Sequence, residues 1–79
     1  MDAREVLADI QHDIWVSWMA WVFDICPHNE DGSVTIPANL VERWTRQIHT
    51  RYADLSEKEK DSDRAEADKT LRALQGVQE

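Results

Sequence analysis

Lys60, Asp63 and Arg64 lie within five residues of one another in a segment whose helical spacing otherwise points inward. Counting back from Leu71 and Leu74 by three and four residues reaches Ala67, then Arg64 and Asp63, then Lys60. Three charges thus fall on the stripe that two leucines define. A guanidinium presents a planar fork of donors suited to phosphate or carboxylate. With Asp63 steadying it, the basic pair would face a cleft between the second and third helices and hold an anionic ligand. The structural alternative is that Arg64 locks the packing onto a neighbouring carbonyl or carboxylate while Lys60 extends to water.

Aromatic rings would complement such cations. Trp15, Trp18, Trp21, Trp44 and Tyr52 supply flat faces on which a base or sugar stacks. Trp18 and Trp21 lie on the main apolar stripe of one helix and read as core. Trp15, Trp44 and Tyr52 sit at stripe edges or in a connector, and Trp44 and Tyr52 join Lys60, Asp63 and Arg64 as the candidate ligand-binding set.

Nucleophilic chemistry has weaker support. Cys26, His12, His28 and His49 are the available thiol and imidazoles, but catalysis needs a thiol and an imidazole brought together and oriented by a third group. Nothing in their spacing does this, and Cys26 with His28 forms no closed zinc pattern. The only glycines are Gly32 and Gly76, too few for a phosphate-cradling loop. The carboxylates of the last third read as solvated. The expectation is a non-enzymatic module with no catalytic residue, metal or cofactor.

Charge narrows the partners. The formal charge of −7 argues against nucleic acid, which needs clustered Lys and Arg. Residues 1–26 carry Arg4 against Asp2, Glu5, Asp9, Asp13 and Asp24. Residues 27–52 balance Arg43, Arg46 and Arg51 against Glu30, Asp31 and Glu42. One cysteine rules out an internal disulfide and suits a reducing compartment. The apolar run "IWVSWMAWVFDIC" is too short for a bilayer, so no membrane role is expected, and the reading is a soluble cytoplasmic protein.

The elements follow from periodicity. Leu7, Ile10, Ile14, Trp18, Trp21 and Ile25 recur at three and four residues, predicting a helix over about Ala3 to Ile25. Val16, Met19 and Phe23 lie roughly opposite that face with His12 beside them. A helix apolar nearly all round is buried on two sides or meets a partner, so these four residues form a candidate interface for a homodimer or an adaptor. "CPHNEDGSV" predicts an irregular loop around residues 26–36. Pro37 opens a second helix to about His49, with Leu40, Val41, Trp44 and Ile48 as its stripe. Ser56 and Glu59 form a capping box that starts a third helix, and Gly76 reads as its stop near Leu74 or Gln75.

The fold expected is all-α, a small three-helix domain over residues 1–79, with residues 75–79 frayed. Its core would be Leu7, Ile10, Ile14, Trp18, Trp21, Leu40, Trp44, Ile48, Ala67, Leu71 and Leu74.

The run "TRYADLSEKEKDSDRAEADKTLRAL", Thr50 to Leu74, resembles the second half of the RyR domain, a repeat named for ryanodine receptors and also found free-standing in bacteria and bacteriophages. Tyr52, Leu55, Ser56, Glu57, Glu59, Lys60, Asp63, Arg64 and Leu71 carry the likeness. "IPANLVERWTRQ" and "HDIWVSWM" look like the short bacteriophage version. The Trp-x-Tyr-Gly and His-Pro elements of receptor repeats are missing, so contacts made through them do not carry over. The resemblance implies a small binding module for an anionic, nucleotide-derived ligand, with Tyr52, Lys60, Asp63 and Arg64 as contacts. For a phage-encoded chain it implies the host cytoplasm. The rival expectation is protein–protein interaction through the second apolar face of the first helix.

Overall fold

Asp2 opens the first helix: its carboxylate accepts the Glu5 backbone N–H at 2.9 Å, a standard N-cap. In the computed structural model, which describes residues 2–77, this helix is α1 (Ala3–Ile25), followed by α2 (Ala38–Ile48) and α3 (Glu57–Val77), with a single 3-10 turn at Tyr52–Asp54. The protein is a small all-α domain. Among the described residues the only β-type pairing is one antiparallel bridge between His28 and Val34.

α1 ends at Cys26, whose backbone turns extended and is followed by Pro27, a residue that cannot continue the helical ladder. The loop beyond it is a compact turn. The Asn29 side chain donates to the Ser33 and Thr35 hydroxyls at 2.9 and 3.0 Å, and Asp31 accepts from the Ser33 N–H at 3.0 Å and its hydroxyl at 2.6 Å. Those two Ser33 bonds hold the Asp31 carboxyl below its ordinary range. Gly32 sits at φ +90°, where a side chain would be strained.

Pro37 precedes α2 as its N-cap, with ψ at 152°, rather than serving as its first helical residue. Its carbonyl accepts from Leu40 and Val41 at 3.0 and 3.1 Å, so it anchors the first turn from outside. At the other end α2 stops at Ile48, one residue earlier than expected, where His49 and Thr50 turn back onto Thr45, Arg46 and Gln47.

The Ser56–Glu59 capping box forms as the spacing predicts. Glu59 N–H donates to Ser56 Oγ and Ser56 N–H to Glu59 Oε1, both at 3.2 Å. Gly76 does not stop α3, which runs through it to Val77. Gly76 lacks the positive φ of a glycine C-cap, so it continues the helical backbone. Of the residues expected to fray, 75–77 are therefore helical, and Gln78 and Glu79 lie outside the described residues.

The expected core is the main correction. Among the described residues only Cys26 is buried, at 3% exposure. Leu7, Ile10, Ile14, Leu40, Trp44 and Leu74 are half-buried, whereas Trp18, Trp21, Ile48, Ala67 and Leu71 are exposed. The periodic stripes are correct, but the helices do not close over them. α1 packs chiefly on α3, and α2 stands to the side. The radius of gyration is 15.9 Å, against about 12 Å for a compact chain of this length, within an outline of 48 × 34 × 16 Å.

Candidate functional site

The connector between α2 and α3 sets the geometry of the site. Its 3-10 turn places Tyr52 beside the start of α3, while Thr50 Oγ1 donates to the Arg46 carbonyl at 2.6 Å and pins the end of α2. Arg46 in turn reaches α3, its guanidinium donating to Glu59 Oε2 at 2.6 Å. The three helices then diverge around an open cleft of about 660 Å³.

Trp18 and Trp21 of α1 and Trp44 of α2 form an aromatic wall of that cleft, and Tyr52 also lines it. Trp18 meets Trp21 edge-on at a 5.4 Å centroid distance, and Trp21 meets Trp44 at 6.1 Å. These are favourable aromatic geometries, so the wall is preformed. The charged lining is Arg43, Lys58, Glu59, Asp63 and Glu66.

The carboxylates of this lining differ in what holds them. Glu59 is only 8% exposed, and its pKa falls from 4.5 to about 2, first because Arg46 donates to it and further because Ser56 does; desolvation opposes the shift. Its side chain is shielded rather than solvated, unlike the reading of these carboxylates from sequence. Glu66 sits 3.3 Å from the Lys69 ammonium. Arg43 and Lys58 carry no ion pair among the described residues, so they are the cations that the cleft leaves available.

Of the five expected ligand contacts, the cleft brings together Trp44, Tyr52 and Asp63. Lys60 and Arg64 fall outside its lining. Arg64 donates through Nε to the Tyr52 hydroxyl at 3.1 Å, and through one terminal nitrogen to Glu57 at 3.0 Å and Asp61 at 2.8 Å. The Asp61, Glu57 and Tyr52 hydrogen bonds push its pKa up, and the same bond from Arg64 lowers that of Glu57. Lys60 lies 5.7 Å from the Tyr52 ring centroid and 3.7 Å from Glu57. Arg64 is therefore paired with Glu57 and Asp61, one helical turn apart, and not with Asp63. Two acids that look mutually unfavourable in sequence are bridged by one guanidinium.

The second apolar face of α1 is open. Trp15 is 59% exposed, Val16 and Phe23 are also exposed, and His12 stacks on Trp15 with ring centroids 6.0 Å apart. Met19 is half-buried and joins Trp18, Val22, Trp44, Gln47 and Ile48 around a shallow groove of about 440 Å³. Ile48 projects from its rim at 77% exposure.

The residues that sequence reasoning missed are Arg43, Lys58 and the Arg46–Glu59 pair. Arg46 and Glu59 are 13 residues apart on different helices, so no helical spacing links them. Cys26 is buried and the His28 ring bonds the Phe23 carbonyl. Among the described residues, no group of three His, Cys, Asp or Glu side chains is placed to hold a metal ion. No helix among them is long and apolar enough to cross a membrane. Compared with known proteins, no family model, curated sequence or solved structure matches the chain.

Proposed function

We propose that this protein is an interaction module whose open α1 face docks another polypeptide. The observation that carries the reading is surface. A compact monomer of this mass has an accessible surface of about 4900 Å², and this chain exposes 6404 Å². Trp15, Val16 and Phe23 of α1 and Ile48 of α2 are among the large apolar side chains left exposed on it, and apolar side chains grouped on one face mark an interaction surface. His12, Val16, Met19 and Phe23 are the contact residues, together with Trp15, on which His12 stacks.

Hydroxyl-radical footprinting tests this in living cells. The reading expects Trp15, Met19 and Phe23 to oxidise more slowly in the producing cell than in the purified chain at nanomolar concentration. Equal reactivity in both settings would remove it.

A second reading rests on the cleft. Arg43 and Lys58, beside Trp44 and Tyr52, offer unpaired cations next to aromatic faces, a combination suited to a small anionic ligand with a flat ring. This keeps the non-enzymatic, RyR-like, nucleotide-derived ligand class of the sequence resemblance but moves the cationic contacts from Lys60 and Arg64 to Arg43 and Lys58. A thermal-shift screen against nucleotides and dinucleotides tests it. A ligand at about a hundred times its dissociation constant stabilises by about 2.7 kcal/mol, and no shift with any of them rejects the reading.

A further inference from the structure

We infer that the polypeptide docked on the α1 face is a second copy of this chain, paired antiparallel about Trp15. The inference rests on the docking reading above and names its partner. Three observations converge on it.

The first is a seam. Ala8, His12, Trp15, Met19 and Val22 follow one another at intervals of four, three, four and three residues, the spacing of a helix-pairing stripe. The residues of this seam are all exposed or half-buried in the single chain. Trp15 is its midpoint, with Ala8 seven residues before it and Val22 seven after. In an antiparallel pair Trp15 therefore meets its own copy, and the small Ala8 faces the larger Val22. A two-fold contact requires such a self-complementary patch. Antiparallel pairing also opposes the two helix dipoles favourably.

The second is charge. α1 is acidic, but between Ala8 and Val22 its acids Asp9 and Asp13 are rotated roughly a quarter turn or more away from the seam, at about 100° per residue. The seam carries no formal charge. In the antiparallel register about Trp15, Asp9 and Asp13 of one copy fall opposite Trp21 and Ser17 of the other, so two copies of a chain with net charge −7 can meet here without opposing like charges.

The third is area. The chain exposes about 1500 Å² more than a compact monomer of its size, and a standard interface takes about 800 Å² from each partner. The excess is enough for one chain's share of an obligate homodimer contact. The groove at Met19, Val22 and Ile48 borders the same seam, and it shares Trp18, Trp44 and Gln47 with the larger cleft. A second copy seated there would also wall one side of that cleft.

Sedimentation equilibrium at 1 to 100 µM tests the inference, with circular dichroism as the check on helicity. The wild-type chain is expected at twice its 9.2 kDa mass. Trp15→Glu and His12→Glu, both on the seam, are expected at the single-chain mass, and Ala65→Glu, on the exposed side of α3, at the doubled mass. Should Trp15→Glu lose its helicity, His12→Glu decides. A wild-type chain at 9.2 kDa throughout, or a doubled mass that survives the deciding variants, overturns the inference. If the wild-type chain is monomeric while its α1 face is still protected in cells, the second copy is wrong and the docking reading stands.

Discussion

Arg46 on α2 donates to Glu59 on α3 across 2.6 Å, while the other carboxylate oxygen of Glu59 accepts from the Ser56 backbone and hydroxyl. One side chain thus caps α3 and ties it to the neighbouring helix. The local link is written in the Ser56-x-x-Glu59 spacing, and the tertiary link arises only once the connector turns α2 back towards α3.

The first prediction concerns acid. Glu59 has a folded pKa of about 2 against an ordinary 4.5, so its contribution is present in full above pH 4.5 and is lost as pH falls towards 2. Glu59→Gln should lower the melting temperature at pH 7, and its curve should converge with the wild-type curve near pH 2. Thermal melts across that range measure the gap. A gap that stays constant from pH 7 to pH 2 would show that the ionised carboxylate is not what stabilises the fold.

Removing the cap without the ion pair separates the two links. Ser56→Ala should cost about 1 kcal/mol, which in a domain of this size lowers the melting point by roughly 4–8 °C. Urea denaturation at neutral pH reads the loss directly, and an unchanged midpoint contradicts the cap.

The two glycines should respond in opposite directions. Gly76 lies inside α3 with open space where a Cβ would sit, so Gly76→Ala should stabilise by about 0.5 kcal/mol. Gly32 also has open space, but at φ +90° Gly32→Ala should destabilise by roughly 1 kcal/mol. Paired melts check both signs.

Arg64 and Arg43 should also part company. Arg64 is held by Tyr52, Glu57 and Asp61, so Arg64→Ala should lower the melting point and leave any nucleotide-induced shift intact. Arg43→Ala should leave the melting point within about 2 °C, since exposed residues without partners contribute little, and should abolish that shift. The reverse pattern would return the ligand contact to Arg64.

These contrasts mark how far the sequence is legible. The extent of α1, the Ser56–Glu59 cap and the turn chemistry of Asn29, Asp31 and Gly32 are local, so residue types and spacing reveal them. The apolar stripes are visible as well, but periodicity says which residues share a face, not what covers it. That is why Trp18, Trp21, Ile48, Ala67 and Leu71 read as core yet stand exposed in the single chain. Charge on α3 misleads in a similar way. Asp63 neighbours Arg64 in sequence, but adjacent helical residues diverge by about 100°, and the guanidinium instead finds Asp61 three residues back and Glu57 seven back. Gly76 is a stop signal only when its backbone turns left-handed, which composition cannot reveal.

The central claim is that this fold is finished by contact through the α1 face. The concentration dependence of the melting temperature tests it most directly, because a fold completed by a second chain gains stability by mass action. The account predicts a melting temperature that rises between 1 and 100 µM for the wild-type chain and stays flat and lower for Trp15→Glu. A wild-type melting temperature independent of concentration and matched by Trp15→Glu would contradict it.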